Sequence, residues 1–217
     1  LSLNTELPTE SIIWGTTANE SVTGTSGDDI LDSAGGHDGI NGGSGTDILA
    51  IFSVKDYFQI QTVAGITKFY GSTNVSYYTY STAYFYSGYT SRMINVESIL
   101  FLDDSVTLDT ALAAESIIWG TSASENLIGT DENDLFDSAG GDDYINGKAG
   151  NDTLAIFSKK GDFTFFGETE TLGGITKMLG GWYYWGGMEA QYYSDVIKLI
   201  NVETVQFNDE SITLNTA

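Results

Sequence analysis

A period of nine residues runs through two stretches of the chain and restricts what it can fold into more than any other feature. The first stretch reads GTTANESVT, GTSGDDILD, SAGGHDGIN and GGSGTDILA over residues 15–50, and the second reads GTSASENLI, GTDENDLFD, SAGGDDYIN and GKAGNDTLA over residues 120–155. Each unit begins with Gly or another small residue, carries an acid at its sixth position and a large apolar residue at its eighth. Six residues rich in Gly, Asp and Asn form a turn, and the next three make a short strand with a single side chain facing the core. Successive strands then stack in parallel and alternate between the two sides of a roll. The residues expected to face inward are Val22, Leu31, Ile40 and Leu49, then Leu127, Phe136, Ile145 and Leu154.

The roll is expected twice. Ser11-Ile12-Ile13-Trp14-Gly15-Thr16 recurs as Ser116-Ile117-Ile118-Trp119-Gly120-Thr121, and Ile94-Asn95-Val96-Glu97-Ser98 recurs as Ile200-Asn201-Val202-Glu203-Thr204. The spacing of the second pair exceeds that of the first by one residue, which places an insertion near Gly161 in the second copy. The expectation is an all-β protein of two homologous lobes, 11–112 and 113–217, each a short right-handed parallel β-roll with an appended antiparallel β cap. Trp14 and Trp119, at matched positions before the repeats, are read as core.

Composition narrows the chemistry. Thirty acidic residues against eight basic ones give a formal net charge of -22, which repels phosphate backbones and anionic lipid surfaces and argues against nucleic-acid binding. At 13% aromatic residues the chain is too apolar for a disordered acidic tail. No apolar run approaches the length of a membrane span, no signal peptide precedes the repeats, and a start at Leu1 is expected of a segment of a longer protein. With no Cys and one His there is little to hold zinc or copper. Carboxylates at every sixth position and carbonyl-rich turns suit Ca²⁺, which takes six to eight oxygen ligands.

The nonapeptide resembles the RTX repeat, GGxGxDxUx, a calcium-binding β-roll signature. The segments that follow, Leu49-Ala50-Ile51-Phe52-Ser53 to Asn-Val-Glu and Leu154-Ala155-Ile156-Phe157-Ser158 to Phe207-Asn208-Asp209, are similar to an element that caps such rolls. The resemblance implies that turns n and n+2 share a calcium ion. On this chain Asp29 would then pair with Asp47 and Glu20 with Asp38, and Asp134 with Asp152 and Glu125 with Asp143. Glu20 and Glu125 replace Asp, Ala18 and Ala123 replace Gly, and Glu132 replaces Gly in the second turn of copy two, so those turns are expected to bind more weakly or differently. Four bound ions would leave a net charge of about -14. The resemblance further implies export through a type I secretion channel, with folding in roughly millimolar external calcium.

Segment 77–89, YYTYSTAYFYSGY, and the region holding Trp182, Tyr183, Tyr184, Trp185, Tyr192 and Tyr193 depart from a plain cap. If 77–89 is a strand, Tyr78, Tyr80, Tyr84 and Tyr86 share one face. Aromatic rings stack on the CH faces of sugars, so these four and Trp182, Tyr184 and Trp185 are the candidate ligand residues. The expected function is non-catalytic, calcium-dependent carbohydrate binding outside the cell, with a neutral polysaccharide as partner and enzymatic domains in the parent protein. The alternative is a structural or adhesive cell-surface segment that binds a protein partner. His37 lies at a variable turn position, and no catalytic arrangement can be built around it.

Overall fold

The structure, a computed structural model, describes residues 11–71, 90–110, 112, 116–157, 160, 170–172, 175–186 and 189–214. The chain divides into two compact units, 1–111 and 112–217. In the first, the repeats form β1 (Ser11–Trp14), β2 (Ser21–Thr23), β3 (Asp29–Asp32), β4 (Gly39–Asn41) and β5 (Ile48–Ala50). The rest of the unit adds β6 (Phe58–Val63), β7 (Ile66–Gly71), β8 (Thr90–Ile94), β9 (Ser98–Leu100) and β10 (Ser105–Thr107). Strand order is β1-β3-β5-β9-β10 in one sheet and β2-β4-β8-β7-β6 in the other. The repeat strands alternate between the sheets and pair in parallel, with Leu31 beside Leu49 and Val22 beside Ile40.

The cap is antiparallel only at its outer strands. β9 joins β5 in parallel and β8 joins β4 in parallel, so the cap extends both sheets of the roll by one step before β10, β7 and β6 turn back. The second unit repeats the plan. Its strands are β11 (Ser116–Trp119), β12 (Asn126–Ile128), β13 (Asp134–Asp137), β14 (Tyr144–Asn146), β15 (Thr153–Ile156), β16 (Glu170–Leu172), β17 (Ile175–Gly186), β18 (Glu189–Ile200), β19 (Thr204–Phe207) and β20 (Ser211–Thr213). They order as β11-β13-β15-β19-β20 and β12-β14-β18-β17-β16.

All eight apolar residues at the repeats' eighth position are buried, and each unit has its own core. Cap residues complete it: Met93, Val96, Ile99 and Phe101 in the first unit, and Leu199, Val202, Val205 and Phe207 in the second. Phe58 stacks on Phe69 at 4.4 Å and meets Phe101 at 5.6 Å. One core expectation fails. Trp14 is 67% exposed, and Trp119 is half-buried. Register explains it, because Ile13 sits beside Leu31 and turns inward, which places Trp14 beside Asp32 on the outer side of a strand with period two.

Candidate metal centre

The acids at the sixth position meet those two turns away. The Asp29 N–H donates to Asp47 Oδ1 at 2.8 Å, and the Glu20 N–H to Asp38 Oδ1 at 3.0 Å. In the second unit the Asp134 N–H donates to Asp152 Oδ1 at 2.8 Å, and the Glu125 N–H to Asp143 Oδ1 at 2.9 Å. These are the four pairs implied by the resemblance, held by parallel strands two repeats apart. The six aspartates are almost fully buried, whereas Glu20 and Glu125 are half-buried.

The turns divide into two kinds. In turns one and two of each copy, the N–H at position two donates to the acid of its own turn: Thr16 to Glu20, Thr25 to Asp29, Thr121 to Glu125 and Thr130 to Asp134. The Thr25 and Thr130 hydroxyls bond to the same aspartates. In turns three and four that N–H turns the other way. Ala34 donates to Asp32 Oδ1, Gly43 to Asn41 Oδ1, Ala139 to Asp137 Oδ1 and Lys148 to Asn146 Oδ1, at 2.9 to 3.1 Å. These are Asx-type turns, and the left-handed backbone at Ala34, Gly43, Ala139 and Lys148 accompanies them.

The consequence is electrostatic. Asp38, Asp47 and Asp152 each keep one carboxylate oxygen, Oδ2, buried and without a hydrogen-bond partner among the described residues. Leaving such an atom unmatched is costly, and a cation supplies the match. Burial pushes the Asp38 and Asp47 carboxyls above the usual range, with the Glu97 and Asp29 carboxylates adding to the rise at Asp47. Burial takes Asp152 to about 6, and repulsion from Asp134 and Glu203 contributes. Because the unfolded value is 3.8, the metal-free fold is expected to lose stability as pH rises from about 4 through about 6. The β circular dichroism signal of calcium-free protein across that window checks the sign; a folded fraction that rises with pH contradicts it.

Among the described residues no three Asp, Glu, His or Cys side chains converge as a ready metal cluster. An ion held by one or two carboxylates must fill its shell with carbonyl oxygens, which Ca²⁺ accepts and zinc does not favour. The position-one glycines make room for them. A Cβ on Gly42 would collide with the Asn95 carbonyl oxygen and lie 2.5 Å from Asp47 Oδ2. The donor set thus fits calcium, with Asp38, Asp47 and Asp152 as the open carboxylates.

Two acids were missed in the sequence. The Asp47 N–H donates to Glu97 Oε2 at 2.5 Å, and the Asp152 N–H to Glu203 Oε2 at 2.8 Å, as the next rung of each ladder. A signal was present, since Glu97 precedes buried Ile99 by two residues just as Asp29 precedes Leu31. Tyr78, Tyr80, Tyr84 and Tyr86 lie outside the described residues. Trp182, Tyr184 and Trp185 lie in β17, whose register with β18 sets Trp182 opposite Tyr193 and Tyr184 opposite Gln191. His37 is exposed in its turn.

Sheet order, turn geometry and open carboxylates define a calcium-binding β-roll. Residues 14–49 and 119–154 match the RTX calcium-binding nonapeptide repeat and are two runs of it. Among curated proteins none matches this chain by sequence. Among solved structures, the extracellular lipase LipA from Serratia marcescens aligns over 93% of this chain and 40% of its own, at 14% identity and a TM-score of 0.25. The chain therefore spans well under half of that lipase. Among the described residues no helix is long and apolar enough to cross a membrane.

Proposed function

We propose that the chain is a non-catalytic, calcium-built binding module of a secreted protein, and that its aromatic-rich segments hold a neutral polysaccharide. The calcium part rests on one observation above the rest, the unpartnered buried oxygens of Asp38, Asp47 and Asp152. Glu20, Asp29, Glu125, Asp134 and Asp143 would stand beside them as ladder partners and secondary ligands. The ion's role is to neutralise and fasten the roll, and no residue is assigned a catalytic role. External calcium concentrations suit such sites, which supports a location outside the cell.

The sugar part is supported by the second copy's hairpin. Residues 198–200 of β18 pair with β14 and residues 175–177 of β17 pair with β16, whereas 180–186 and 189–195 pair only with each other among the described strands. That two-stranded ribbon carries Trp182, Tyr183, Tyr184, Trp185, Tyr192 and Tyr193. Among the described strands that ribbon has no third partner, and a two-stranded ribbon gains little stability by itself, so the many aromatics there favour ligand binding over scaffold. The test is retention on immobilised polysaccharides in calcium, for the chain and for Trp182→Ala with Trp185→Ala. The expected result is retention on a neutral glycan that the double variant loses by about tenfold or more. A folded chain that binds no glycan overturns the sugar reading and favours a protein partner.

A further inference from the structure

On one side of each roll, the open carboxylate faces the cap instead of the preceding repeat. Asp47 is fully buried, and its unpartnered Oδ2 lies beside Gly42, where the Asn95 carbonyl oxygen also arrives. Asp152 Oδ2 and the Asn201 carbonyl oxygen meet in the same way beside Gly147. Asn95 and Asn201 both adopt φ of 51°, a left-handed conformation that Asn tolerates. Each is followed two residues later by Glu97 or Glu203, whose carboxylate already accepts the N–H of Asp47 or Asp152 with one oxygen.

We infer that each copy holds a cation at the junction of roll and cap, bound by Asp47, the Asn95 carbonyl and Glu97 in the first and by Asp152, the Asn201 carbonyl and Glu203 in the second. The step before it is less open, because both oxygens of Asp29 accept from Thr25 and both of Asp134 from Thr130. Among the described residues the opposite side of the first roll has no such junction, since the cap residue reached by the Asp38 N–H is Ser91, at 3.4 Å. The nonapeptide turns alone do not contain this seat. Its closing carboxylate comes from the Asn-Val-Glu segment, so a cation there would tie docking of the cap to calcium. The inference rests on the calcium reading above.

Glu97→Gln combined with Glu203→Gln in the full chain separates the two. Gln retains an oxygen acceptor for the Asp47 and Asp152 N–H groups and removes the charge, so a merely structural glutamate would be spared. Calorimetric titration is expected to show one fewer calcium ion in each copy, or a loss of about a hundredfold in affinity at those sites. The remaining sites should titrate as before. Unchanged stoichiometry and affinity overturn the junction site and leave the calcium reading standing, whereas a wild-type chain that binds no calcium overturns both. Should the variant not fold even in calcium, crystals of the wild-type chain loaded with terbium decide. Anomalous peaks bonded to Glu97 and Glu203 carry the inference, and peaks flanked only by nonapeptide residues overturn it.

Discussion

Chelating calcium at neutral pH is expected to unfold both lobes, with loss of the β circular dichroism signal on adding EGTA and its return on adding back calcium. Buried carboxylates dominate the balance. Asp29, Asp38 and Asp47 in one roll, and Asp134, Asp143 and Asp152 in the other, are at most 2% exposed. Most roll turns bury one or two apolar side chains, such as Leu31 or Leu135 and Phe136, against one such acid. A ligand held at a hundred times its dissociation constant stabilises the folded state by about 2.7 kcal/mol per site. Several sites together therefore approach the roughly 5–15 kcal/mol that separates most folded domains from their unfolded chains. Magnesium should restore little, because it gives up water reluctantly and demands a tighter octahedral shell. A spectrum and melting temperature unchanged by EGTA would show that the cores of Leu31 and Phe136 suffice without the ion.

Gly42→Ala is expected to destabilise the first lobe by more than about 4 kcal/mol, while Gly39→Ala, three residues away, stays within about 1 kcal/mol. The added Cβ at Gly42 would strike the Asn95 carbonyl oxygen and sit 2.8 Å from the Asp47 Cβ. Neither neighbour can retreat cheaply. The Gly42 N–H bonds the Ile94 carbonyl at 3.1 Å, and the Asn95 side chain bonds Asn41 at 3.0 Å, so the strands at this step are pinned from both sides. At Gly39 the nearest atom to an added Cβ is Ser21 Oγ at 4.0 Å, ordinary van der Waals contact. The same substitution therefore reads backbone closeness in one case and almost nothing in the other. Chemical denaturation of the two variants in calcium measures the contrast, and equal midpoints would contradict it.

The substitution also separates two roles of the turn glycines. In Gly43, with φ of 101°, the backbone conformation itself excludes most side chains. In Gly42 the conformation is ordinary, and it is the approach of the next strand's carbonyl that leaves no space. Both requirements are met by the same two-letter signature at the start of the fourth turn. The second copy writes Gly147-Lys148 there and keeps Lys148 at φ of 74°, a strain that a side chain tolerates when the Asx turn from Asn146 holds it.

The chain's own sequence was enough to reveal the roll, the duplication and the inward series from Val22 to Leu154, while the pairing of acids two turns apart was what its resemblance to the RTX repeat implied. The roll and its inward series follow from one period, because a nine-residue pitch leaves each side chain little choice of layer. Where the period ends, so does that certainty. Glu97 and Glu203 enter the ladders only because β9 and β19 return from distant parts of the sequence to pair in parallel with β5 and β15. Trp14 looks like core in sequence, yet faces solvent because the strand alternates and Ile13 takes the inner place. The difference between Asp29, held by Thr25, and Asp47, left with an open oxygen, was likewise decided in three dimensions. It depends on which carboxylate or amide the N–H at position two turns toward, and that is a choice of backbone conformation made only when the strands on either side are in register.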